Sequence, residues 1–127
     1  MRTRLAGDER APSAARSYVA RQLETSTLPE GVLVEDVVLI ASELVTNAVR
    51  AGADWVDLTL RVTPRQLDLL VGDDADGRPV LVTPDDDATR GRGLGIVDHL
   101  ADVWGVTPRA QGKLVTATWR TRTDASR

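Results

Sequence analysis

The chain has 127 residues, of which 42% are apolar and 28% charged. That is one globular domain's worth of polypeptide, with an ordinary balance for a packed core. It has no cysteine and a single histidine, His99, which excludes disulfides, thiolate zinc sites and thiol nucleophiles and leaves a multi-histidine metal site without material. The formal charge of -3 gives no global reason for nucleic-acid binding, and no apolar run approaches the ~18 residues of a membrane span. A soluble, cytoplasmic protein with no direct nucleic-acid or membrane partner is expected.

Met1 to Ala11 mixes charges without periodicity and reads as a flexible tail, as does the polar stretch 121–127; a single domain is expected over 12–120. A first helix is predicted over Pro12 to Glu24, since proline suits a first helical turn and Ala15, Tyr18, Val19 and Leu23 follow helical spacing. A second helix, Leu33 to Arg50, has the strongest pattern. Val34, Val37, Val38, Ala41, Leu44, Val45 and Ala48 form one broad apolar stripe, and Gly52 suits the position just past its end.

The period then changes to two. Trp55 to Val62 alternates as a half-buried strand, Thr63 to Gln66 is a turn, and Leu67 to Gly72 forms a second strand running into Asp73. A long loop follows over Asp74 to Arg90, whose acidic run Asp85–Asp87 reads as part of a solvated lid. Gly91-Arg92-Gly93-Leu94-Gly95 opens a third helix, and Trp104 to Thr107 and Leu114 to Arg120 close the chain as strands around a turn at Pro108 to Gly112. With aromatic residues limited to Tyr18, Trp55, Trp104 and Trp119, the core is expected to be aliphatic. Helices grouped beside a mainly antiparallel sheet predict a two-layer α/β sandwich of the α+β kind, with the helices on one face.

Three segments offer chemistry. Glu43 and Asn47 stand four apart on the second helix and share a face. A carboxylate and an amide oxygen so placed suit a proton acceptor and a hard donor for Mg²⁺, although the pair also fits a plain solvated face. Asp73 ends a strand and opens Asp73-Asp74-Ala75-Asp76-Gly77, where a carboxylate suits an exocyclic amine and small residues let a flat ligand approach; an ordinary Asp-Gly turn has the same composition. Gly91, Gly93 and Gly95, flanked by Arg90 and Arg92, suit an anion at a helix start, or a hinge. His99 has no partner identifiable from sequence.

The order of these segments is more specific than any one of them. Glu43-Leu44-Val45-Thr46-Asn47-Ala48-Val49-Arg50 resembles the N box of the GHKL (Bergerat-fold) superfamily of ATP-binding domains. Asp73-Asp74-Ala75-Asp76-Gly77 resembles its G1 box, and Gly91-Arg92-Gly93-Leu94-Gly95-Ile96-Val97 its G2 box. The phrases Glu-Leu-Val-Thr-Asn-Ala and Gly-Ile-Val-Asp-His-Leu-Ala-Asp-Val-Trp-Gly-Val are similar to those of single-domain anti-sigma-factor serine/threonine kinases.

The resemblance implies ATP and Mg²⁺ as cofactors, Glu43 as general base toward a protein serine, and Asn47 as the magnesium ligand. It implies Asp73 at the adenine amine, Ala75 and Gly77 beside the base, and Arg90, Gly91, Arg92, Gly93, Leu94 and Gly95 at the phosphates. It further implies an STAS-type anti-sigma-factor antagonist as partner, a sigma factor as a second one, and a homodimer. The chain departs from the family pattern at Ala75, usually glycine, at Ala51-Gly52, where relatives carry His-Ala, and at Leu114, where relatives often have threonine. The hydroxyl near the base is then either absent or supplied by Thr116. The expected function is a regulatory kinase of the anti-sigma-factor type; the alternative is a non-catalytic, nucleotide-dependent module that sequesters a partner.

Overall fold

The computed structural model describes residues 1–75 and 100–121. Its elements are β1 (Arg2–Ala6), α1 (Ala11–Glu24), α2 (Val34–Arg50), β2 (Trp55–Val62), β3 (Gln66–Asp73), β4 (Val103–Pro108) and β5 (Lys113–Arg120). The strands form one five-stranded sheet in the order β1-β2-β3-β5-β4, and every pairing is antiparallel. The third helix expected after Gly95, the Asp85–Asp87 run, His99 and residues 122–127 lie outside the described residues.

Alternation divides the sheet into two faces. Val56, Leu58 and Leu60 of β2, Leu67, Leu69 and Val71 of β3, and Val115, Ala117 and Trp119 of β5 are buried, and they join Ala15, Val19 and Leu23 of α1 and Ile40, Ala41, Leu44, Val45 and Ala48 of α2 in one core. Both described helices therefore cover the same face, and the two-layer arrangement expected from the sequence is observed. The core is aliphatic except for Trp119, which is 3% exposed; its in-phase spacing with Val115 and Ala117 leaves it no outward position.

The opening segment corrects the expected tail. Arg2 to Ala6 is an edge strand paired along β2, from Arg2 opposite Thr59 to Ala6 opposite Trp55. Thr3 and Leu5 turn toward the core layer, while Arg2 and Arg4 point outward, where both bind the Asp57 carboxylate and Arg4 also lies 4.0 Å over the Trp55 ring. The charges that look aperiodic in sequence are the outward half of a two-residue period. Elsewhere the boundaries move by a residue or two: α1 begins at Ala11, α2 at Val34, and the last two strands at Val103 and Lys113.

Candidate functional site

The apolar stripe of α2 faces the sheet, and α1 covers one flank, where Arg16 donates to Ser42 Oγ at 2.8 Å. At roughly 100° per residue, Glu43 points a quarter turn away from Ser42, and Asn47 follows within about 40° of Glu43. Both therefore stand half-buried on the flank that α1 leaves uncovered. Neither side chain is engaged by another described residue, so carboxylate and amide remain available.

The helix ends one turn after Asn47 in a defined way. The Gly52 N–H donates to the Val49 carbonyl at 3.0 Å and the Ala53 N–H to the Ala48 carbonyl at 3.1 Å. With Gly52 at φ 91°, this is a Schellman cap, which satisfies carbonyls the helix would leave open. The chain then enters β2 at Trp55, and the first core pair of β2 with β3 is Val56 opposite Asp73. The last turn of α2 and the end of β3 thus lie at the same end of the molecule. Asp74 ties them together, since its Oδ1 accepts from the Asp54 and Trp55 N–H groups at 2.9 and 3.1 Å.

Asp73 is 1% exposed and sits on the helix-facing side of the sheet. Its Oδ1 accepts the Ala75 N–H at 2.9 Å and its Oδ2 accepts from Lys113 Nζ at 2.8 Å. Lys113 is the cross-strand neighbour of Asp73 and is itself buried. Removing one member of such a pair costs about 3–5 kcal/mol, because the other charge stays buried and uncompensated. Gly112 makes the close approach possible: it has φ 89°, and a Cβ there would stand 1.8 Å from the Asp73 carbonyl oxygen.

Of the expected site residues, Asn47, Asp73 and Ala75 come together at this end of the molecule, with Glu43 one turn further back along α2. Thr116 does not join them. It pairs opposite Leu70, one residue out of phase with Asp73 and Lys113, so it stands on the sheet face away from the helices and is corrected as a base contact. Gly77, Arg90, Gly91, Arg92, Gly93, Leu94 and Gly95 lie outside the described residues. Lys113 is absent from the expected site, although its phase with Val115, Ala117 and Trp119 marks it as an inward lysine. Among the described residues no three acidic or histidine side chains cluster as a metal site.

A model of the histidine kinase-like ATPase domain matches residues 5–119. The chain belongs to that family. Membership implies ATP binding, and the residues fit it: a free amide oxygen on α2 for a phosphate-bound cation, and a buried carboxylate with acceptor positions to spare for an amine. No curated protein sequence matches the chain. Among solved structures, that of the RsbU and RsbW domains of Rv1364c from Mycobacterium tuberculosis superposes with a TM-score of 0.65 at 20% identity, covering 94% of this chain and 32% of that one. The histidine kinase domain of the Erythrobacter litoralis EL346 blue-light activated histidine kinase gives 0.57 at 19% identity, over 91% and 61%. The Acinetobacter baumannii histidine kinase AdeS gives 0.54 at 15% identity, over 94% and 68%. These likenesses establish the fold, and the chain spans about a third of the mycobacterial chain. No described helix is long and apolar enough to cross a membrane.

Proposed function

We propose that this chain is a cytoplasmic ATP-binding regulatory serine/threonine kinase of the anti-sigma-factor type, which phosphorylates a serine of an STAS-type antagonist in a partner-switching circuit. The observation that carries this reading is the pairing of Glu43 with Asn47 on the flank of α2 that α1 does not cover. A domain that only held nucleotide would need the amide oxygen but not the carboxylate beside it. The motif Glu-Leu-Val-Thr-Asn-Ala and the likeness to a chain with an RsbW domain support it.

In this reading Glu43 accepts the proton of the attacking serine hydroxyl. The amide oxygen of Asn47 holds Mg²⁺, which when bound neutralises charge on the phosphates. Asp73 accepts from the exocyclic amine of adenine, with Ala75 and Gly77 beside the ring. Gly91, Gly93 and Gly95, with Arg90, Arg92 and the Leu94 backbone, hold the phosphates. Phosphoryl transfer asks mainly for positioning and charge neutralisation, which suits so sparse a set of side chains. A sigma factor as second partner and a homodimer belong to the same proposal.

Incubation with labelled ATP, Mg²⁺ and a cognate antagonist tests it. Label is expected on the antagonist, with Glu43→Ala reducing transfer at least a hundredfold and leaving nucleotide affinity within a few fold. A second reading, a nucleotide-dependent module that sequesters its partner without chemistry, draws on the departures from the family pattern at Ala75 and Leu114. It prevails if partner affinity changes with nucleotide while no phosphate moves.

A further inference from the structure

Lys113 is the chain's one lysine, against 15 arginines. Its side chain is 9% exposed and reaches Asp73 Oδ2 at 2.8 Å. An ammonium has three donors and a carboxylate about four acceptor positions. One Nζ donor goes to Asp73, and no other described acceptor takes the remaining two. Asp73 in turn has two positions filled, by Lys113 and by the Ala75 N–H. A buried donor with bonds to spare therefore lies beside a buried acceptor with positions to spare, and buried polar groups seek partners.

We propose that Lys113 reads the base, donating from Nζ to ring nitrogen N1 of adenine while Asp73 accepts from the neighbouring exocyclic amine. The inference rests on the purine site proposed above and adds the residue that would set its base preference. The six-membered edge of adenine offers an acceptor next to a donor, matching Lys113 next to Asp73. Guanine offers the reverse, an O6 acceptor beside an N1–H donor. In the same pose it would set its N–H against the ammonium and its carbonyl against the carboxylate. Lysine suits the task because a compact ammonium can bond Asp73 and a ring nitrogen at once, whereas a planar guanidinium would tend to lock both donors onto the carboxylate.

The test compares ADP with 1-deaza-ADP, which lacks the N1 acceptor, by calorimetry on the intact chain. Wild type is expected to bind ADP at least tenfold more tightly than 1-deaza-ADP, in keeping with a charge-assisted hydrogen bond. Lys113→Met is expected to weaken ADP binding by a similar factor and to bind both ligands equally. Because Lys113→Met strands the Asp73 charge, the neutral pair Asp73→Asn with Lys113→Met provides the same ratio in a background with no buried charge. ¹⁵N-lysine labelling supplies a readout that needs no variant: a single side-chain ammonium resonance, expected to shift with ADP and not with 1-deaza-ADP. An equal penalty for 1-deaza-ADP with and without Lys113, or a resonance that ADP leaves unmoved, overturns the assignment while the purine site stands. Failure of wild type to bind ADP at millimolar concentration overturns both.

Discussion

Asp57 and Asp73 are both buried aspartates on neighbouring strands, yet their partners give them different tasks. Asp57 faces outward and is held by Arg2 and Arg4, whose side chains are 68% and 55% exposed. The Arg4 hydrogen bonds, helped by Arg2 and opposed by burial, hold the Asp57 carboxyl below its ordinary value of 3.8. A carboxyl held low contributes stability that is complete above its unfolded-state value and is lost as the pH falls through its folded-state value. Wild type is therefore expected to lose this contribution progressively from about pH 5 downward, through the ordinary value of 3.8 and below, and Asp57→Asn to show less stability at neutral pH but a flatter acid limb. Urea midpoints measured from pH 7 down to pH ~3 would check this, with the two curves converging at the acid end. Asp73 has a single cationic partner and a covered position, which is why it suits a ligand and Asp57 suits an edge. Glu43, Asn47 and Asp73 were legible in sequence as candidates because each sits in a motif. Lys113 was not, because its meeting with Asp73 depends on a strand register 40 positions long in chain separation.

At the scale of elements, two glycines with nearly the same backbone angle do unlike things. A side-chain carbon added to Gly52, at φ 91°, would meet nothing within 4 Å, whereas the same carbon on Gly112 would overlap the Asp73 backbone. Gly52→Ala is expected to lower stability by about 1–2 kcal/mol, the cost of a left-handed residue with a side chain, with nucleotide affinity changed little. Gly112→Ala is expected to cost more, and also to abolish nucleotide binding, since the β4–β5 turn must move off the end of β3. Chemical denaturation and calorimetry on the two variants separate the effects. The long periodic elements α2, β2 and β3 were readable because burial of one face imposes the pattern. β1 was not, since five residues with outward arginines carry too little apolar signal, and the face of Thr116 follows from a β3–β5 register that no local pattern encodes.

Across the whole molecule, β1 protects the outer side of an eight-residue strand. Its Met1 ammonium donates to the Leu60 carbonyl and the Leu60 N–H donates back to the Met1 carbonyl, at 3.1 and 2.8 Å. Deleting residues 1–6 would bare the β2 edge, a template for pairing with other chains. The truncated protein is expected to unfold at lower denaturant and to self-associate at concentrations where the full chain does not, as sedimentation would show.

The N–H of Thr121 donates to the Arg65 carbonyl at 2.9 Å, so both extremities of the described fold come to rest beside the β2–β3 hairpin. β3 runs from that hairpin to Asp73 over eight residues, a separation of about 20 Å. A tag fused ahead of Met1 therefore starts from the pole of the sheet remote from Asp73.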